Sequence, residues 1–408
     1  MTPKWARNKR VLLGVSGGIA AYKTCELVRM WMKSGCEVET ILTDAAAALV
    51  SPLTLSTLSK RRVWRNADLL SDESGWRIPH ISLTDWADVM VIAPCTANAL
   101  RMAATGDSST LLGAAMLACS VPMVFFPAMN SRMWANPATK RNARTLEEFG
   151  HKIVDPDSGP LACGYDGKGR LPSVGVILDE TWAALCPLRD FAGRKVLITA
   201  GPTREYIDPV RFISSPSSGR MGYALAAEAR CRGADVVLVS GPSSERVPSG
   251  VRPVPVTSAV EMKDACLREL SGSDVIIKAA AVGDYRAKDR AGQKIKREKS
   301  EFLTVELERN PDIAREISIR KSPAQILVGF AAETESVSEN ALKKIESKGL
   351  DMIVANDVSK DGTGFAVATN SVTVYFSGER GGPRPESFSG SKRDVASGIL
   401  DAVSGLLM

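Results

Sequence analysis

Three side chains in the first half of this chain are of the types that move protons beside an anion. His80, in PHISLTDWADVMVIAPCTAN, offers an imidazole, and with two histidines in 408 residues only it and His151 can do so. Asn130 closes the run PAMN, and Cys163 sits in the Gly-rich SGPLACGYDGKGR. A thiol of ordinary pKa, ~8.5, is mostly protonated at neutral pH and can act as an acid. Singly, each residue has a packing explanation: a capping His, an Asn at a turn, a Cys used as a small hydrophobe. A base, an amide and a thiol on loops at one sheet edge read better as a site. Upstream, Ser16-Gly17-Gly18 follows the apolar run Val11–Val15 and precedes a helical pattern from about Ala20. Backbone N–H groups at such a helix start suit a phosphate. Gly14, Gly17 and Gly18 do not match G-x-G-x-x-G, and Thr43-Asp44 offers a candidate ribose ligand, so the turn alone leaves NAD and FMN both open.

The second half carries a different set. Ser214-Ser215-Pro216-Ser217-Ser218-Gly219 opens a helix, with Arg204 and Arg211 nearby, and again suits a polyphosphate. KAAAVGDYR ends an apolar strand with Asp284 at its exit, and seven of the fourteen residues 286–299 are basic. Only Tyr285 borders that stretch among aromatics, which disfavours a nucleic-acid patch. A lid closing over phosphates fits better.

These groups need strands that end where they begin. Apolar runs at Val11–Val15, Val38–Thr43, Val89–Ala93, Met123–Phe126, Val196–Ala200, Val236–Ser240, Val275–Ala279, Ile326–Phe330 and Met352–Ala355 alternate with helical patterns such as Ala20–Met32, Ala99–Ala118, Gly222–Arg232, Ala259–Leu270 and Val337–Lys348. That alternation predicts α/β architecture with doubly wound, mainly parallel sheets. KVLITAGPT echoes RVLLGVSGG, and Arg189–Lys195 is a charged connector after Pro187. Two Rossmann-like domains are therefore expected, 1–190 and 191–408. Ser377–Lys392 reads as a surface loop before a last helix, Asp394–Leu407.

Composition excludes several function classes. Residues 1–190 carry 21 basic and 18 acidic side chains against totals of 52 and 46, so each half is +3 of the total +6. No basic face of the kind nucleic acid selects stands out. No run reaches the ~20 apolar residues a membrane span needs, and MTPKWARNKR leads into a strand-like run rather than a signal-peptide core. The eight cysteines form no CxxC pair, so reduced thiols in the cytoplasm are expected, without a zinc site.

SGGIAAYK, the His before a strand, APCTAN, PAMN and LACGYDGKGR together resemble the flavin-dependent phosphopantothenoylcysteine decarboxylases over nearly all of residues 8–185. The resemblance implies a flavodoxin-like half that binds FMN through Ser16, Gly17, Gly18, Thr43, Ala93, Pro94, Cys95 and Thr96. It further implies that His80 is the base of an oxidation, Asn130 the grip on the departing carboxylate, and Cys163 the proton donor of the last stage. One departure stands out: members usually carry an acidic pair after TAN, whereas Gly106-Asp107-Ser108-Ser109-Thr110 keeps only Asp107.

AGPTREYIDPVR, SSGRMG, AAAVGDYR, KIKR, RNPDI, GFAAET and ANDV resemble the CTP-using phosphopantothenate–cysteine ligases over residues 191–405. The order decarboxylase then ligase is that of the bacterial bifunctional enzymes of coenzyme A synthesis. The resemblance implies that Lys278, Ala279, Ala280, Asp284, Glu308, Arg309, Asn310, Pro311, Phe330, Lys344 and Lys348 surround CTP, and that Lys294 steadies transition-state charge. Ser217, Ser218, Gly219 and Arg211 would hold the phosphate or acyl substrate. Mg2+ is expected on the CTP phosphates, with no metal ligands identified. Ser215 stands where the family usually has Asn, and would assist the attack of cysteine, with Ser214 or Ser217 sharing the role. The resemblance also implies a homo-oligomer with trimeric decarboxylase halves and dimeric ligase halves, acting on small molecules. Two other classes compete: a nucleotide-binding protein with an impaired ligase site, and a generic NAD(P) oxidoreductase.

Overall fold

A computed structural model describes residues 2–73, 75–162, 164–296, 303–333, 337–357, 369–378 and 385–407. The chain forms two compact units, Trp5–Pro187 on one side and Leu188–Met408 with Met1–Lys4 on the other.

In the first unit, β1 (Arg10–Val15), β2 (Glu37–Leu42), β3 (Val63–Arg65), β4 (Val89–Cys95), β5 (Met123–Pro127) and β6 (Lys152–Ile153) make one sheet in the order 3-2-1-4-5-6. Every pairing is parallel. Leaving aside the three-residue edge strand β3, the order is 2-1-3-4-5 in sequence rank, the flavodoxin-like winding. All seven residues of β4 are buried because helices cover both faces, which is why it reads as a continuous apolar run rather than an alternating one. The winding reverses between β1 and β4, opening a crevice at their carboxyl ends, where ligands of such sheets bind. A hairpin, β7 (Asp157–Pro160) with β8 (Asp166–Arg170), stands apart from the sheet.

The second unit is built on an eight-stranded sheet. Its strands are β9 (Lys195–Ala200), β12 (Asp235–Ser240), β13 (Arg252–Pro255), β14 (Val275–Lys278), β17 (Ile326–Glu333), β18 (Met352–Asp357), β19 (Thr369–Phe376) and β20 (Glu386–Ser391). They lie in the order 13-12-9-14-17-18-19-20, and small hairpins β10 (Arg204–Tyr206) with β11 (Phe212–Ser214) and β15 (Tyr285–Ala287) with β16 (Leu307–Arg309) flank it. Two apolar cores sandwich the sheet: Ile198, Leu238, Ile277 and Val328 face one, and Leu197, Val239, Ile276 and Leu327 face the other. Both units are doubly wound α/β structures, as the alternation of strands and helices predicts.

Three local expectations need correction. The helical pattern after Gly18 begins as a 3-10 turn, Ile19–Lys23, before the α-helix Thr24–Lys33. The pattern Ala99–Ala118 is two helices, Ala97–Thr105 and Leu111–Ala118, because the first ends at Gly106 and Thr110 caps a new one by accepting from Gly113 N. The stretch expected as a loop, 377–392, contains β20, which pairs antiparallel with β19 as β19 does with β18. The sheet is therefore mixed at this edge. Ser and Gly in ESFSGS hide the strand from composition, since an edge strand needs few apolar residues.

Candidate active sites

At the crevice of the first unit, Ser16 is consumed by structure. Its hydroxyl donates to the Pro94 carbonyl oxygen and accepts from Thr96 N, both at 2.8 Å, and its own N–H donates to the same carbonyl at 3.2 Å. Ser16 is buried. It stitches the exit of β1 to the exit of β4 and leaves the flavin-facing role expected of it to its neighbours. The Ala93–Pro94 peptide is cis.

Gly17 must be Gly, because a Cβ there would sit 2.3 Å from that of Ala45. Thr43 caps the short helix Asp44–Ala47, accepting from Ala46 N at 3.2 Å, so the hydroxyl proton points away from the helix. Thr96 caps Ala97–Thr105 in the same way, accepting from Ala99 N. Ala93 and Cys95 lie wholly inside β4, where burial pushes the Cys95 thiol far up. They can offer a ligand backbone only, a correction to their expected place against it.

A cavity of about 430 Å3 opens beside these exits. Gly17, Gly18, Thr96 and Asn130 line it, with Met129 and Leu161 among its apolar walls. Asn130 caps the helix Ser131–Ala135, its Oδ1 accepting from Arg132 N at 2.8 Å, which fixes the amide plane. The β7–β8 hairpin forms the far wall. Met129 N donates to Gly169 O at 2.9 Å, and a Cβ on Gly169 would lie 2.1 Å from Met129 O, so the strand approaches this loop as only Gly permits. Cys163 lies outside the described residues, though Leu161 and Ala162 before it line the cavity. A largely apolar cavity at the switch point, bordered by capped helix starts, fits a flavin.

His80 is not brought to this cavity. It stands second in the helix Pro79–Trp86, with Nδ1 buried and without a hydrogen-bond partner among the described residues. Two cations that motif reading does not single out do line the cavity: Lys23, last in the 3-10 turn, and Arg170, last in β8. Both close quoted motifs, SGGIAAYK and LACGYDGKGR, and that position was the available signal. Asp107, the remnant of the family's acidic pair, is engaged locally. Hydrogen bonds from Ser109, then Arg101, hold it down at about 2.

In the second unit a cavity of about 480 Å3 gathers Lys278, Ala280, Asp284, Asn310, Phe330 and Lys344, and Arg309, Pro311 and Lys348 also line it. Asp312, not anticipated, caps Ile313–Arg320 through bonds from Ala314 N and Arg315 N and pairs with Lys348 at 3.4 Å. Burial lowers the partly buried Lys278 to about 8, against the opposing charge of Asp312. A neighbouring cavity of about 360 Å3 shares Ala280, Val282, Asp284 and Phe330 with the first and adds Ala279, Ser217, Ser218 and Gly219. The two cavities are neighbours, with the four shared residues lining both. Ser215 lies beyond them, in a groove with Arg204, Pro216, Ser217 and Ser218.

Three expected members stand elsewhere. Glu308 pairs with Arg286 at 2.7 Å instead of lining the nucleotide cavity. Arg211 turns onto the buried carboxylate of Asp208 and lines neither cavity. Lys294 is exposed and outside the cavity lining. Among the described residues, no group of three or more His, Cys, Asp or Glu gathers to hold a metal, and no helix is long and apolar enough to cross a membrane.

A flavodoxin-like unit followed by a second doubly wound unit makes a two-part α/β protein, and family models divide the chain in that way. The model described as Flavoprotein matches residues 2–185, and the DNA/pantothenate metabolism flavoprotein C-terminal domain matches 191–406. The chain belongs to the family of coenzyme A biosynthesis bifunctional proteins. It is 44% identical over 402 residues to the bifunctional protein CoaBC of Bacillus subtilis (strain 168), covering 98% of this chain and 97% of that one. It is 44% identical over 380 residues to CoaBC of Vibrio vulnificus (strain CMCP6), covering 92% and 94%. Among solved structures, the C-terminal domain of a CoaBC is similar at 40% identity, covering 54% of this chain and 98% of that one with a TM-score of 0.44. The generic dinucleotide oxidoreductase is thereby set aside.

Proposed function

We propose that residues 1–190 decarboxylate 4′-phosphopantothenoylcysteine with FMN and that residues 191–408 make that substrate from 4′-phosphopantothenate, cysteine and CTP. The observation that carries this reading is the pair of adjoining cavities, one lined by Lys278, Asp284 and Lys344 and the other by Asp284 and Ser217–Gly219, in a chain whose relatives are bifunctional over their whole length.

In the ligase half, a carboxylate is a poor electrophile until its oxygen is attached to a good leaving group. Lys278, Lys344 and Lys348 supply the positive charge a triphosphate needs, Asn310 and Asp284 the polar wall for a base and sugar. The backbone and hydroxyls of Ser217–Gly219 lie where the acyl phosphate end reaches. Lys294 supplies a cation for the charge that develops on the transferring group. Mg2+ rides on the triphosphate, charge compensation that in-line attack requires. Cysteine's amine then displaces CMP.

In the decarboxylase half, the chemistry FMN supplies when bound is to take a hydride from the CH2–SH carbon, making it an electron sink, and to give that hydride back after CO2 has left. Gly17, Gly18, Thr43 and Thr96 hold it, His80 takes the proton, Asn130 orients the carboxylate, and Cys163 returns a proton at the end. Since His80 is off the cavity that Asn130 lines, the oligomer implied by resemblance is where a neighbouring copy's His80 would complete the site. Exposed Ile19, Tyr22 and Met133 around the cavity support such packing. Synthesis from small soluble metabolites places this work in the cytoplasm, where thiols stay reduced.

The deciding assay is pyrophosphate release that requires both CTP and 4′-phosphopantothenate, made on protein with flavin absorbance. No release, or release without the acyl substrate, overturns the ligase reading; colourless protein that still decarboxylates overturns the other.

A further inference from the structure

The 430 Å3 cavity has an otherwise uncharged lining, yet Lys23 and Arg170 both face it. They come from separate elements, the end of the 3-10 turn after β1 and the end of β8, so the fold brings them to one place. Neither has an ion-pair partner among the described residues. Burial, then the charge of Arg170, lowers the Lys23 pKa, and Asp157 and Glu26 offset this only in part. Two like charges beside an apolar wall repel one another and lose hydration, and an anion between them reverses both penalties.

We infer that Lys23 and Arg170 form the subsite for the phosphate at the far end of the acyl-cysteine substrate, and so make the decarboxylase half selective for a phosphorylated molecule. The inference rests on the decarboxylase reading above. The substrate has two anionic ends, and chemistry separates them. The carboxylate must leave as neutral CO2, and two cations on it would stabilise the ground state more than the transition state and slow the step. A neutral amide, Asn130, suits that end. The phosphate keeps its charge from binding to release, so cations bind it equally throughout and lower KM without slowing the chemistry. Arg adds a planar fork of donors matched to phosphate oxygens, and Lys a point charge.

The test compares 4′-phosphopantothenoylcysteine with its dephospho form on the full-length, FMN-loaded enzyme. Wild type should favour the phosphorylated substrate in kcat/KM by about 10- to 100-fold, the range for charge-assisted hydrogen bonds. In Lys23→Gln and Arg170→Gln that ratio should collapse toward one, through KM for the phosphorylated substrate, while Lys23→Arg restores most of it. An undiminished ratio in both variants overturns the inference. So does a parallel loss on both substrates, which would make the pair structural. Flavin content below wild type would assign the pair to the FMN phosphate instead and also overturns it. Wild type that turns over both substrates equally sinks this inference alone, whereas wild type that decarboxylates neither sinks the reading beneath it.

Discussion

Arg211 donates to Asp208 twice, at 2.9 and 2.6 Å, and both residues hold Ile295: its N–H donates to Asp208 at 3.2 Å and its carbonyl accepts from Arg211 at 3.1 Å. Burial works to raise the Asp208 carboxyl, but the bonds from Arg211, Val210 N and Ile295 N prevail and hold it far below the usual carboxylate range. Ile295 follows Lys294 directly, so this pair anchors the chain beside Lys294.

Replacing Lys294 with Ala should slow acyl-cytidylate formation by roughly 10²–10³ with little change in CTP affinity, because a lid cation acts on charge that develops in the transition state. Asp208→Asn should slow the same step by roughly tenfold or more, by misplacing Lys294. Rapid-quench measurement of the acyl-cytidylate, with CTP binding measured separately, checks both. Asp208→Asn at the wild-type rate would mean that this anchor does not matter to Lys294.

Ser215 is the test of the second half-reaction. Ser214 donates its proton to Thr203 O at 2.7 Å, and Ser217 accepts from Gly219 N at 3.3 Å, so neither is as available as sequence alone suggests. Ser215→Ala should let acyl-cytidylate accumulate, and Ser215→Asn, with an amide that donates and accepts further out, should not. Identical decay in both variants and wild type would leave Ser215 a shaper of the loop before Pro216.

Gly169→Ala should damage only the decarboxylase. A methyl 2.1 Å from Met129 O must push β8 off the loop that carries Asn130. A loss of about 1–3 kcal/mol in the stability of that half is expected from such overpacking. Decarboxylation should fall with it while CTP-dependent pyrophosphate release holds. Thermal unfolding of the variant alongside both assays reads this out, and an unchanged decarboxylase would refute the close approach.

Lys278 makes nucleotide binding proton-linked. Its pKa falls from an ordinary 10.5 to about 8, chiefly by burial. Below about pH 8 it is charged in folded and unfolded chains alike, and the folded state bears the whole burial penalty. Between about 8 and 10.5 the unfolded chain holds more protons, so stability rises with pH across that window. A bound triphosphate raises the pKa again. Calorimetry of CTP binding near pH 8.5, in buffers of different ionisation enthalpy, should show fractional proton uptake that Lys278→Met removes. Buffer-independent heats would contradict it.

Motifs that end strands carried most of this molecule's legibility. β1, β4, β9 and β14 are buried on both faces and therefore announce themselves as apolar runs, and the residues at their exits follow. Arg211 and Glu308 were misplaced for a different reason: a charged side chain in a motif looks the same whether it faces a ligand or, as here, Asp208 and Arg286. Lys23 and Arg170 share a cavity because β8 meets the loop after β5 through Met129 N and Gly169 O, a long-range contact that spacing does not encode. β20 stayed hidden because its partner, not its composition, makes it a strand.

The wall common to the two cavities of the second unit, Ala280, Val282, Asp284 and Phe330, bears on a hazard of acyl activation. A mixed anhydride of a carboxylic acid and a nucleotide is destroyed by the first water that reaches its carbonyl. On the proposed reading, the anhydride would form beside this shared wall, with the nucleotide in one cavity and the pantoyl chain in the other, so that each ligand would close off one route for solvent. The incoming amine would then compete with few waters rather than with bulk solvent, and little CTP would be consumed without making an amide.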